Sequence, residues 1–215
     1  LTAAKKLSSL VEYNTKKRKN KLVSMPPELV LAGKGRSAYV FKYNEASEVK
    51  ALKVFFPEYE EIAKREASIY QLLSGSKYYP KLYESGPSYL VIDYIEGHTF
   101  FECLLKGVPI SDEMINEVDA ALQEARKTGL NPSDIHLRNL IVTKDKEIKV
   151  IDVARFTQTK SDTQWEDLKK AYYSLYKHPL FPKKISRIWL EIIAYLYKKK
   201  WIQFNRKKKK RITNE

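Results

Sequence analysis

Asn131-Pro-Ser-Asp-Ile-His-Leu-Arg-Asn-Leu-Ile-Val142 is followed closely by Lys149-Val-Ile-Asp152. Asp134 and Asn139 are spaced D-x-x-x-x-N, and the Asn leads straight into an apolar run. Asp152 closes a second apolar run, and the two runs read as a hairpin over residues 140–153. Two carboxylates and one amide, carried on a loop and at the end of a hairpin, make a compact set of oxygen ligands. Such a set suits Mg²⁺ and can orient a hydroxyl toward a phosphate.

Upstream, Gly33-Lys-Gly35-Arg-Ser-Ala38-Tyr-Val40 fits a hairpin whose backbone can lie over phosphates. Glycine permits close approach and positive φ there. Gly-x-Gly is common in plain turns, so this stretch is weak evidence by itself. Lys53 sits inside an apolar strand, Ala51-Leu-Lys-Val-Phe-Phe56. An inward-facing lysine there needs a partner, and Glu66 on the next helix is the candidate. The plain alternative is a lysine on the exposed face of the strand.

Around these motifs the period of the apolar residues changes along the chain. Residues 3–13 read as a short amphipathic helix with Leu7, Leu10 and Val11 on one face. A basic stretch at 16–21 and Pro26-Pro27 then break the pattern. Strand-like runs follow at 29–32, 38–43, 49–56, 81–83 and 89–93, with a helix over 58–74. From Gly97 the pattern turns helical. Helices are predicted at 100–105, from Ser111 to Gly129, at 164–176 and at 184–201. In the last of these, Ile185, Ile188, Trp189, Ile192, Ile193 and Leu196 form an apolar stripe at helical spacing. The expected division is an N-terminal helix and basic linker at 1–27, a β-rich unit at 28–95, an α-rich unit at 96–204 and a basic tail at 205–215.

With all pieces in order, the chain resembles the protein-kinase-like superfamily over roughly residues 29–176. Gly33, Gly35 and Val40 resemble the Gly-rich loop, and Ala51-Leu-Lys53 the Val-Ala-Ile-Lys strand. Arg65-Glu66 resembles the helix whose Glu holds that Lys. Leu90-Val-Ile-Asp-Tyr-Ile-Glu-Gly97 resembles the hinge, with Ile92 at the gatekeeper and Asp93 and Ile95 offering backbone bonds to adenine. Asp134 and Asn139 match the catalytic loop, Asp152 the Asp of D-F-G, and Asp167 the buried Asp that braces the loop. The resemblance implies an α+β, two-lobed protein-kinase-like fold with a β-rich N-lobe and a reduced α-helical C-lobe. It implies ATP and Mg²⁺ as cofactors. Lys53, positioned by Glu66, would contact the α and β phosphates. Asn139 and Asp152 would hold Mg²⁺, and Asp134 would orient or deprotonate the acceptor hydroxyl.

The departures shape the expected activity. Ala38 replaces the third loop glycine, and Pro132-Ser133 replaces the usual His-Arg. Without that Arg no docking site for an activating phosphate is expected, which points to constitutive activity. His136 stands where a Lys is usual, as in aminoglycoside and choline kinases. Val153-Ala154 replaces Phe-Gly, and only residues 153–163 separate Asp152 from the next helix. The chain looks closest to small bacterial Ser/Thr kinases, near the RIO, lipopolysaccharide-kinase and aminoglycoside-phosphotransferase-like branches. The primary expectation is transfer of the ATP γ-phosphate to a Ser or Thr hydroxyl on a protein, the kinase itself included. Two alternatives stay open: a small-molecule or glycan kinase, and a RIO-like ATPase switch on an RNA particle.

Composition narrows the remaining classes. At 215 residues with 43% apolar and 12% aromatic side chains, the chain has a globular composition. One cysteine, Cys103, excludes an internal disulfide and a Cys-rich zinc site, and a reducing cytoplasm is the simplest setting. The three histidines lack metal-ligand spacing. No signal-peptide pattern is evident, and no apolar run approaches the ~20 residues a membrane span requires. Net charge is +14, much of it in Lys16–Lys19, Lys198–Lys200 and Arg206–Arg211. These runs are either a solvated surface or an attraction to RNA or an anionic membrane face. Trp201 and Phe204 lie between basic runs and could stack on bases, although Trp201 also continues the apolar stripe.

Overall fold

The computed structural model describes residues 2–16, 19–160 and 162–198. The predicted basic tail at 205–215, with Trp201 and Phe204, lies outside the described residues. The fold is mixed α+β. Strands β3 (Val30–Lys34), β4 (Ala38–Glu45), β5 (Glu48–Phe55), β6 (Leu82–Gly86) and β7 (Tyr89–Asp93) form an antiparallel sheet of order β3-β4-β5-β7-β6. Helix α2 (Glu60–Leu72) leaves β5 through a 3₁₀ turn at Pro57–Tyr59, where proline suits the first helical position.

Alternation along β4 and β5 sends side chains to two different cores. Ala38, Ala51, Phe55, Leu90 and Ile92 join one cluster with Ala63, Ile69 and Tyr70 of α2. Tyr39, Phe41, Tyr43, Leu52, Val54, Tyr89 and Val91 join another with Ala4, Val11 and Leu29. Helix α1 (Ala3–Ser9) lies against β5 and β7. It is shorter than the predicted 3–13. The predicted basic linker is instead a hairpin, β1 (Glu12–Lys16) with β2 (Lys19–Ser24). The Tyr39 hydroxyl anchors it, accepting from the Leu22 N–H at 2.9 Å and donating to the Asn20 carbonyl at 3.2 Å. Basic side chains concealed this hairpin because its register is carried by backbone pairing and one buried tyrosine rather than by an apolar run.

The chain then adds a three-stranded sheet, order β10-β9-β8, from β8 (Gly97–Thr99), β9 (Leu140–Thr143) and β10 (Ile148–Val150). Thr99 ends β8 and caps α3 (Phe100–Lys106) in a capping box with Glu102. Helix α4 (Asp112–Lys127) is capped by Ser111 and buries Met114, Ile115, Val118, Ala121, Leu122 and Ala125. Helix α5 (Gln164–Ala171) runs into a π turn at Tyr172–Tyr176, where a single helix over 164–176 is predicted from sequence. Helix α6 spans Arg187–Lys198. The first cluster runs without a break from Ala38 to Leu190.

Gly97 is the tightest backbone approach in this second sheet. A Cβ there would lie 2.2 Å from the Val142 carbonyl oxygen, closer than real contacts allow. Gly97→Ala must therefore push β8 off β9. A loss of about 1–3 kcal/mol is expected, read as a lower melting temperature. An unchanged melting temperature would show that the β8–β9 pairing is dispensable.

Candidate active site

The register of the first sheet assembles half of the site. Gly33 pairs with Val40, Val40 with Lys53, and Lys53 with Leu90, so these four residues form one row across the strands. Lys53 therefore shares its face with Ala51 and Phe55, the face that α2 covers. Lys53 is 8% exposed and Glu66 is fully buried. The Lys53 ammonium donates to both Glu66 carboxylate oxygens at 2.7 and 2.8 Å, and to Asp152 Oδ1 at 3.2 Å. The inward reading of Lys53 thus holds, and the exposed-face alternative does not.

Burial opposes the charge on Lys53, but the Glu66 and Asp152 carboxylates more than offset it and raise its pKa. Burial raises the Glu66 pKa, with Lys53 pulling against it. Asp152 is held below the ordinary carboxylate range, mainly by Lys53. Its side chain is 51% exposed, so one face remains open to solvent.

The hairpin β9–β10 supplies the other half. The Ile151 N–H donates to the Asn139 carbonyl at 2.9 Å, continuing the β9–β10 ladder by one pair. This sets Asn139 beside Asp152. The Asn139 amide nitrogen donates to the Asp134 carbonyl at 3.1 Å. Its Oδ1 is therefore directed away from that bond. Asp134 and Asp152 both adopt left-handed backbone, φ +63° and +60°. Asp is one of the few residues that visits this region, and outliers of this kind cluster at functional sites.

Two residues at the site were not anticipated from the sequence. Arg155 Nε lies 3.2 Å from Asp134 Oδ2. Asp162 Oδ2 accepts from the Asp134 N–H at 2.5 Å. Both come from the stretch between Asp152 and α5, which folds back over the loop. The Asn131 N–H donates to the Phe156 carbonyl, and its side-chain amide to the Gln158 and Lys160 carbonyls. Nothing in the spacing of Arg155 or Asp162 marks them, since the contact depends on how that stretch turns. Tyr70, one turn beyond Glu66, is also buried. Its pKa is raised by burial first and by Glu66 next, and its hydroxyl has no hydrogen bond of good geometry.

The remaining expected residues fall as follows. Neither Gly33 nor Gly35 has positive φ; the turn closes through the Gly35 N–H on the Ala38 carbonyl at 2.8 Å. A Cβ at Gly33 would meet nothing nearer than 3.9 Å, so the chain itself does not demand glycine there. Ile92 is buried at the end of β7. The Asp93 N–H is taken by the Lys81 carbonyl, and its carboxylate accepts from the Lys81 N–H and the Tyr83 hydroxyl. Ile95 follows β7 in the link to β8. Asp167 is buried at the start of α5 and accepts from the Thr163 hydroxyl at 3.4 Å. His136 Nδ1 is buried with no hydrogen-bond partner. Cys103 is buried in α3, where burial raises its thiol pKa, as expected of a packing residue rather than a nucleophile. Among the described residues no three His, Cys, Asp or Glu side chains gather as a metal cluster.

A buried Lys–Glu pair aimed at an Asp, with an Asn at hydrogen-bonding distance from a second Asp's backbone, is the arrangement of a kinase-like protein. The sequence comparisons give the same class. Over 211 residues the chain is 56% identical to the Bacillus subtilis protein named "Putative serine/threonine-protein kinase YrzF", covering 98% of both chains. The chain belongs to the same family as that kinase-like protein. A second relative, a Clostridium acetobutylicum protein named "Probable serine/threonine-protein kinase", is 32% identical over 136 residues, which are 56% of this chain and 20% of that one. No family model matches the chain.

Proposed function

We propose that this chain is an ATP-dependent phosphotransferase of two-lobed kinase fold that moves the γ-phosphate to a Ser or Thr hydroxyl on a protein. Residues 28–95 form the N-lobe in this reading, residues 96–204 the C-lobe, and ATP lies between them. The observation that carries it is the buried Lys53–Glu66 pair directed at Asp152 beside Asn139. The names of the two relatives support it.

Each residue has a distinct task. Glu66 keeps Lys53 charged and extended, so that its ammonium meets the α and β phosphates. The slack around Gly33 leaves room for a phosphate to approach the β3–β4 turn. Asp93 offers its carbonyl and Ile95 its N–H to the adenine edge. Asp152 and the Asn139 Oδ1 fit Mg²⁺, which is commonly held by one or two protein oxygens together with substrate phosphates. The bound ion would neutralise charge on the transferring phosphoryl group. Asp134 accepts the acceptor hydroxyl's proton or orients it. Its contact with Arg155 must loosen or turn to admit that hydroxyl.

A small-molecule or glycan acceptor is the second reading, and one observation favours it. Residues 156–160 and Asp162 fold back onto the catalytic loop instead of extending as a peptide platform. Intact-protein mass after incubation with Mg·ATP separates the two, with Asp134→Asn as control because Asn tolerates the left-handed backbone. A phosphate gained by the wild type, and slower by about 10²–10⁴ in the variant, is expected. ADP release only on addition of a small acceptor would favour the second reading. Equal activity of the variant in both assays would remove Asp134 from the mechanism.

A further inference from the structure

Most of the apolar stripe read in the last helix is turned outward, although Ile185, just before it, packs against the first cluster. Ile188, Trp189 and Tyr195 are 72%, 62% and 58% exposed, and Ile192 and Ile193 are exposed as well. At 100° per residue these five side chains span one continuous arc of α6. Leu190, outside that arc, is buried. Glu191 faces the protein too, paired with Arg138 at 2.5 Å. The helix is therefore seated by its narrow side, and its broad apolar face is turned outward. An apolar arc of this breadth on an exposed helix marks an interaction surface.

Charge identifies what the surface fits. Residues 177–215 hold thirteen Lys and Arg against two Glu, a net of +11 out of the chain's +14. Eight of those cations follow the helix at 199–211. A second copy would bring two such segments together and repel. An RNA would use the cations but would leave three isoleucines in water. An anionic bilayer uses both: apolar side chains enter the acyl boundary, Trp and Tyr suit the headgroup level, and each nearby Lys or Arg is drawn to the negative surface. Among the described residues no helix is long and apolar enough to cross a membrane, so α6 would lie in the interface.

We propose that α6 docks this protein on an anionic membrane surface through Ile188, Trp189, Ile192, Ile193 and Tyr195. Helix α6 is joined on its other side to the proposed catalytic loop by the Glu191–Arg138 pair, since Arg138 directly precedes Asn139. Docking does not depend on phosphotransfer, and its test needs no activity.

The test is cosedimentation of the full chain with vesicles of phosphatidylcholine alone and of equal parts phosphatidylcholine and phosphatidylglycerol. Binding to the anionic vesicles is expected to be at least about tenfold stronger and to weaken with salt. Ile188→Glu/Ile192→Glu should lose about tenfold or more of that binding. Its melting temperature should be unchanged, because both side chains are exposed. Equal or absent binding to the two vesicle types would overturn the proposal. So would full vesicle binding by the double variant, which would reduce the interaction to charge. A dimer or an RNA complex that the double variant abolishes, without vesicle binding by the wild type, would assign the face to that partner instead.

Discussion

Asp152→Asn is expected to lower phosphotransfer by about three orders of magnitude while the protein remains folded. The carboxylate is the proposed charged ligand of Mg²⁺ and the second anion on Lys53. Charge stabilisation of this kind is worth several kcal/mol in the transition state, and each 1.36 kcal/mol is tenfold in rate, hence about 10³. Asn is the informative replacement. It keeps the size of the side chain and tolerates φ +60°. The side chain is half exposed, and Lys53 keeps Glu66, so no buried charge is stranded. The measurements are the rate of phosphotransfer and the melting temperature, made on the same preparation. A rate within a few-fold of wild type would sink the metal assignment.

Lys53→Met should be inactive as well, but it should also be unstable, and its instability should depend on pH. Glu66 is fully buried, and Lys53 is the cation that neutralises it. Removing one partner of a buried pair costs about 3–5 kcal/mol because the other charge is stranded. At 2–4 °C per kcal/mol for a chain of this size, the melting temperature should fall by on the order of 10 °C. Burial already raises the Glu66 pKa. Without Lys53 the folded state holds a proton on Glu66 over a pH range in which the unfolded chain has released it. Stability of the variant is then greatest below the unfolded Glu value, near about 4.3, and declines as pH rises through the window up to the raised folded value. Lys53→Met/Glu66→Leu should recover most of the stability, since an apolar pair can replace a buried ion pair at little cost. It should recover none of the activity. A Lys53→Met variant that melts like wild type at every pH would show that the pair does not hold α2 to the sheet.

The same pair shows how far the sequence could be read. A lysine inside an apolar strand and a glutamate on the next helix are visible as residues, and burial then requires them to meet. The D-x-x-x-x-N spacing and the hairpin end are local as well, because neighbouring strands carry Asn139 and Asp152 together. Strands and helices with an apolar period, such as β5, β7 and α4, fell where the pattern placed them. The β1–β2 hairpin did not, because its strands are lysine-rich and its anchor, Tyr39, lies in another strand.

Arg155 and Asp162 illustrate a different limit. Each is an ordinary charged residue in a polar stretch. Both reach Asp134 only because that stretch turns back over the loop. Helix α6 is the opposite case: its period was legible in the sequence and its environment was not. An apolar stripe records that one face avoids water, but not which surface covers it.

By itself the sequence determined the elements that repeat with a period, the identity and order of the ionisable residues, and the spacing that joins Asp134 to Asn139. These are properties of short segments, set by backbone geometry and side-chain chemistry. Only the tertiary structure decided that Lys53 faces inward, that the N-terminal segment covers the second face of the sheet, that Arg155 meets Asp134, and that α6 presents its apolar face outward. Each of those depends on which distant surfaces meet, and burial and charge pairing act between whole elements, not along the chain.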